Sequence, residues 1–237
     1  MPAASAPASL PVAALLPAGR AARALIVPKA EAGFRTFKWK VGVGDAADEL
    51  ALLDDLCAEL PSGGKLRLDA NGAWDRRQAG RWLERCADRP VEFIEQPVAA
   101  DARGAEDLLL GLAGDYPTAI ALDESLAAAG ALGRWLGAGW PGVYIVKPSL
   151  WRDPAAELAR LAEAKAAVVF SSALETAVGA RAALRWAWSW TGAPRALGFG
   201  VWPLFADPRF DGPAAAPFIR REDASRVDPA ALWTELA

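Results

Sequence analysis

The sequence predicts an α/β fold, a closed barrel of parallel strands and helices in one domain, on three observations. Short β-type runs alternate with longer stretches of helical period from residue 34 onward, with no linker in mid-chain. Runs such as VYIV and AVVF are apolar at successive positions, which suits strands buried on both faces of a parallel sheet. Neither a glycine-rich dinucleotide fingerprint nor a P-loop is present, which weighs against an open doubly wound sheet.

In order along the chain, strands are predicted over 34–41, 65–69, 91–95, 119–123, 142–147, 166–171 and 195–200. Helices are predicted between them over 46–60, 75–88, 102–113, 126–136, 154–164 and 176–190, with a shorter one from 229. Two helix starts are marked by chemistry. Asp75 is placed to cap the second helix, and Asp153 precedes Pro154, a cap followed by proline in the first turn. Residues 1–33 are rich in Ala and Pro and read as a lead-in, leaving 34–237 as the barrel with its C-terminal tail. Pro11 and Pro17 interrupt the apolar stretch and the arginines follow it rather than precede it, so a lead-in is the reading and export the lesser alternative. No stretch approaches the roughly 20 apolar residues of a membrane span.

Composition narrows the chemistry. With 237 residues, 53% hydrophobic and 23% charged, the chain is globular, and a formal net charge of −3 without basic–aromatic runs argues against nucleic acid. There is no histidine, which removes Ser-His and Cys-His nucleophiles, imidazole metal sites and histidine acid–base work. Cys57 and Cys86 sit in amphipathic helical patterns and read as buried thiols, in keeping with a reducing cytoplasm. Catalysis in such a chain falls to carboxylates, lysines, hydroxyls and a metal.

Those groups stand at the strand ends. The first predicted strand ends in Lys38, Trp39 and Lys40, the second in Asp69, Ala70 and Asn71, the third in Glu95, Gln96 and Pro97. The fourth ends in Asp123, Glu124 and Ser125, the fifth in Lys147 and Pro148. Strand C-termini of a (β/α) barrel open on one mouth, where active sites lie. Three carboxylates there repel one another unless a cation neutralises them, and oxygen-only ligands favour Mg²⁺ ahead of Mn²⁺ or Ca²⁺. Asp69, Glu95 and Asp123 are therefore the candidate metal ligands. Lys38 and Lys40, two apart on a strand, point the same way. Their mutual repulsion predicts that one of them loses its proton easily and serves as a base. Taken singly, each feature is ordinary: a Lys-x-Lys is usually a solvated strand edge, an acid after a strand is often a helix cap, and Glu175 near a helix start suits the helix dipole. Their succession on five strands is what points to a site.

The motifs TFKWKVG, RLDANGAW, FIEQPV, ALDES and VKPS resemble the enolase superfamily, in the branch with lysines on the second and sixth strands of the barrel. FSSALETAVG and ALGFGVWPLF resemble the o-succinylbenzoate synthase family within it. The resemblance implies a modified (β/α) TIM-type barrel and a Mg²⁺-dependent lyase of menaquinone or phylloquinone biosynthesis, acting on a small carboxylate. It implies Lys40 as base and then acid, Lys38 as the group that tunes it, and Lys147 as the cation that stabilises the anionic intermediate. Ser171, Ser172 and Glu175 would line the substrate's succinyl side, with Asn71 and Glu124 behind the metal ligands. Enzymes of this kind carry an N-terminal α+β capping domain. Residues 1–33 are too few for one, and 9–20 resemble the link that follows it, so the cap is expected to be largely absent. An N-acylamino acid racemase or dipeptide epimerase would use the same lysines, and a truncated, weakly active or non-catalytic remnant is a further alternative.

Overall fold

A computed structural model describes residues 7–225 and 228–236 and divides into two compact units, residues 14–145 and residues up to 13 with those from 146 onward. The first strand among the described residues, β1 (Ser9–Pro11), belongs to the second of these.

The 14–145 unit alternates strand and helix. It begins with β2 (Ala14–Leu16), α1 (Arg23–Glu31), β3 (Thr36–Lys40) and α2 (Ala46–Glu59). There follow β4 (Lys65–Asp69), α3 (Arg76–Cys86), β5 (Val91–Glu95) and α4 (Ala105–Asp115). It closes with β6 (Ile120–Leu122), α5 (Ala131–Gly137) and β7 (Val143–Val146), whose last residue falls in the other unit. Each strand from β2 to β6 pairs in parallel with the next in sequence. The α/β class and the parallel succession predicted from sequence are thus present. Parallel strands covered by helices carry apolar side chains on both faces, and Phe37, Trp39, Leu66, Leu68, Phe93, Ile94, Ile120 and Leu122 are fully buried. Trp82 of α3 stacks on Trp74 at 5.0 Å and meets Trp39 edge-on at 6.3 Å, fixing α3 over the ends of β3 and β4.

The caps explain where helices start. Asp75 forms a full capping box with Gln78, and Asp45 accepts from the Ala47 and Asp48 amides at the start of α2. Within the other unit, Asp153 caps α6 (Pro154–Glu163) by accepting from the Ala156 amide. That unit continues with β8 (Ala167–Phe170), α7 (Ala177–Ser189) and β9 (Phe218–Arg220), which pairs antiparallel with β1. It closes with α8 (Arg221–Ser225) and α9 (Pro229–Leu236).

Three readings of the sequence change. Residues before 34 form two strands and a helix, and β2 is a sheet strand beside β3. Three residues, Ala14–Leu16, are too short to show a period among prolines and alanines. The strand predicted over 195–200 is reduced to single bridges, Leu197 with Val12 and Gly198 with Ser171. The helix predicted over 126–136 begins at Ala131, after a 3-10 turn over Glu124–Leu126. Both cysteines are free thiols, Cys86 buried and Cys57 half-buried, as expected. Among the described residues no helix is long and apolar enough to cross a membrane.

Candidate active site

β3, β4, β5 and β6 deliver the acids and lysines of the 14–145 unit. On β3 the apolar Phe37 and Trp39 are buried to one side, and Lys38 and Lys40 alternate with them on the other. The register places Lys40 beside Asp69 and Asp69 beside Glu95, so charged residues lie in one row across three strands. Ala121 is the partner of Glu95, and Asp123 follows two residues later, with the same parity.

Lys38 is the hub. Its Nζ lies 2.8 Å from the Asp69 carboxylate and 2.7 Å from Glu95 Oε1, with side-chain exposures of 17%, 13% and 2% for the three groups. Burial disfavours its charge, but the Glu95 and Asp69 carboxylates outweigh burial and raise its pKa above the ordinary lysine value. Of the two lysines on this strand face, Lys38 is therefore the one whose proton is held by two carboxylates. The Lys40 side chain, by contrast, is exposed and forms no hydrogen bond or ion pair among the described residues. Burial pushes the pKa of Glu95 up; Lys38 pulls it down, and Asp69 and Asp123 add to the upward push.

The turns behind these residues are fixed by hydrogen bonds. Asn71, at φ +43°, donates from Nδ2 to Glu124 Oε1 at 3.0 Å, joining the two groups assigned a supporting role. The Asn71 amide also donates to Asp69 Oδ1 at 3.3 Å. Two contributors had been missed. Glu49, buried on α2, accepts from the Gly42, Val43 and Gly44 amides at 2.8, 3.2 and 3.0 Å and so ties down the loop that follows Lys40. Gln96, with no exposure at all, bonds through its side chain to the Asp123 and Ser125 amides, the Val98 carbonyl and the Ser125 hydroxyl. Glu49 carries a faint sequence signal, an acid in the first turn of a helix; Gln96 carries none beyond standing next to Glu95.

The remaining predicted residues lie in the other unit. Lys147 is half-buried and leads into a 3-10 turn, Pro148–Leu150. Ser171 and Ser172 are buried after β8. Ser171 Oγ donates to the Gly198 carbonyl at 3.2 Å, and Ser172 Oγ to Glu175 Oε2 at 3.2 Å. Glu175 stands ahead of α7 rather than in its first turn, folded back onto the Ala173 amide. Its Oε1 is buried with no hydrogen-bond partner among the described residues.

The donor set of Asp69, Glu95 and Asp123 fits a hard divalent ion: all its donor atoms are oxygen, and Lys38 is the one ammonium in contact with Asp69 and Glu95. As the side chains stand, no three acids among the described residues are arranged to surround an ion, and the Asp69 and Glu95 carboxylates each contact Lys38.

Comparison with known proteins places the chain in a family. A family model described as enolase C-terminal domain-like matches residues 20–216. An o-succinylbenzoate synthase from Thermosynechococcus vestitus is 44% identical over 196 residues, covering 81% of this chain and 60% of that protein. Another from Thermobifida fusca is 32% identical over 245 residues, covering 97% of this chain and 74% of that protein. The crystal structure of the o-succinylbenzoate synthase of Thermosynechococcus elongatus BP-1, complexed with Mg in the active site, matches with a TM-score of 0.77 at 39% identity. That match covers 95% of this chain and 67% of the crystallised one. A parallel strand–helix succession, acids and lysines at its strand ends, and a family match over most of the sequence lead to one conclusion: this chain belongs to the enolase C-terminal domain-like family, whose fold is a (β/α) TIM-type barrel.

Proposed function

We propose that the chain carries out Mg²⁺-dependent syn dehydration of 2-succinyl-6-hydroxy-2,4-cyclohexadiene-1-carboxylate to o-succinylbenzoate, in the cytoplasm, as a step of menaquinone or phylloquinone synthesis. Asp69, Glu95 and Asp123 would hold the ion, with Mn²⁺ as a workable substitute. Bound there, it supplies Lewis acidity that stabilises negative charge growing on the substrate carboxylate.

Lys40 takes the proton from the ring carbon that bears the carboxylate. The electron pair left behind moves into the ring, the C–O bond on the neighbouring carbon breaks, and Lys40 returns its proton to the departing hydroxide as water. Aromatisation drives this loss. Lys38, an ammonium on the same strand face, would tune Lys40, which separates the work of the two lysines. Lys147 is assigned the stabilisation of the anionic intermediate, and Ser171, Ser172 and Glu175 the succinyl side, with Glu175 orienting the Ser172 hydroxyl.

The observation that most supports this reading is the unequal state of the two lysines. Lys38 is locked by two carboxylates, and Lys40, two residues on, is exposed and unengaged among the described residues. Formation of the aromatic product by purified Lys40→Ala and Lys38→Arg, each beside the parent chain, tests it. Lys40→Ala is expected to lose about 10²–10⁴-fold in kcat, the usual contribution of a general base. Lys38→Arg, which keeps the charge, is expected to retain more activity than Lys40→Ala. Turnover by Lys40→Ala at the parent rate would remove the assignment, and racemisation of an acylated amino acid without dehydration would move the activity to the racemase.

A further inference from the structure

We propose that Gln96 is a positioning residue for the candidate site, its side-chain amide standing in for its own main-chain carbonyl to set the backbone that presents Asp123. The functional part of this inference rests on Asp123 being a ligand of the divalent ion.

Parallel strands exchange hydrogen bonds in a fixed order: a residue whose amide donates to one carbonyl of its neighbour receives at its own carbonyl from the amide two residues further on. The Gln96 amide donates to the Ala121 carbonyl at 2.8 Å, so its carbonyl is due to receive from the Asp123 amide. It does not. Gln96 turns into the left-handed region at φ +40°, and its carbonyl instead accepts from the Gly72 amide at 2.7 Å, in the loop after β4. The Asp123 amide is met by Gln96 Oε1 at 3.1 Å, and the same oxygen accepts from the Ser125 amide at 3.1 Å. Nε2 completes the clamp, donating to the Val98 carbonyl and to Ser125 Oγ, each at 2.8 Å.

One residue thus ties the ends of β4, β5 and β6 together: its main chain serves β4 and β6, and its amide takes over where the main chain has turned away. A left-handed conformation in a residue that is not glycine, directly before Pro97, is strained, and strain of this kind persists only where its surroundings enforce it. Asp123 has an irregular backbone of its own, φ −121° and ψ −80°, just past the three-residue β6, and its amide is the one that Gln96 Oε1 meets.

The test uses Gln96→Met, similar in length without hydrogen bonds, and Gln96→Glu, which keeps the acceptor for the two amides. Amide hydrogen exchange is followed residue by residue, and Mn²⁺ binding is titrated by electron paramagnetic resonance. In Gln96→Met the Asp123 and Ser125 amides are expected to exchange about tenfold faster, while those of Leu66 and Leu68 keep their protection. Mn²⁺ affinity of the folded variant is expected to fall about 10- to 100-fold, as when a group orienting a metal ligand is removed. Gln96→Glu is expected to keep the protection of both amides, and it carries the exchange test if Gln96→Met does not fold. Unchanged exchange at Asp123 and Ser125 in Gln96→Met would overturn the proposal, as would loss of their protection in Gln96→Glu. Parent-level Mn²⁺ affinity in Gln96→Met would overturn it too. If the parent chain binds no Mn²⁺, the divalent-ion reading fails by itself, and exchange alone decides whether Gln96 holds Asp123.

Discussion

Replacing Lys38 by methionine removes the ammonium and leaves the Asp69 and Glu95 carboxylates side by side with nothing between them. The three groups are 17%, 13% and 2% exposed, so the pair behaves as a buried one rather than a screened surface bridge. Breaking a buried pair by removing one partner costs about 3–5 kcal/mol, because the remaining charge stays desolvated. For a chain of this length each kcal/mol moves the unfolding midpoint by about 2–4 °C, giving a fall of about 6–20 °C in Tm. Thermal unfolding of parent and Lys38→Met, followed by circular dichroism at pH 7.5 in EDTA, measures it. Adding Glu95→Gln to Lys38→Met removes one orphaned charge and is expected to recover part of the loss. Mg²⁺ is expected to stabilise Lys38→Met more than the parent, since it then faces an uncompensated pair of acids. A fall below about 4 °C is what a solvent-screened pair would give and would refute the reasoning.

Three further outcomes follow from the packing. Glu49→Ala leaves the Gly42, Val43 and Gly44 amides without their acceptor and is expected to lose about 1–3 kcal/mol in urea unfolding, with faster exchange confined to that loop; an unchanged midpoint would contradict it. Gly142→Ala would set a Cβ 2.2 Å from the Ile120 carbonyl and 2.8 Å from the Trp140 ring, so destabilisation of about 1–3 kcal/mol or more is expected, and a neutral result would contradict the fit. Burial pushes the Cys86 thiol up to about 12 and the Cys57 thiol to about 11, both above the ordinary range near 8.5. The folded chain keeps these protons longer than the unfolded one, so their contribution is whole below about pH 8.5 and is lost as pH rises towards the folded values. Iodoacetamide at pH 8.5 should accordingly modify Cys86 far more slowly in the native chain than in urea, and equal rates would contradict its burial.

Sequence carried much of this because parallel strands advertise themselves. β6 and β7 are apolar runs that stop at a charged residue, and β3 to β5, though they carry charges inside as well, also end on one; that charge marks both the strand end and the site. Lys38, Asp69 and Glu95 were legible as a group because residues at successive strand ends become neighbours. Their electrostatics were not. The sequence set Lys38 against Lys40, two positions away on its own strand, but the partners that decide its charge sit on the next two strands. β2 was missed because three residues show no period, and 195–200 was overread because a β-type run does not by itself secure a paired partner strand. The clamp at Gln96 was illegible for a different reason: a side chain taking the place of a main-chain carbonyl leaves no trace in composition or period.

The measurement that tests the account most directly is turnover of the hydroxy-cyclohexadiene carboxylate by the purified chain, with Mg²⁺ and in EDTA, beside Asp123→Asn. Aromatic product that appears with Mg²⁺, stops in EDTA and is largely lost in Asp123→Asn is the predicted result. Product formed at one rate in all three would contradict the claim that the strand-end carboxylates hold the ion the reaction needs, and no product under any of them would contradict the dehydration itself.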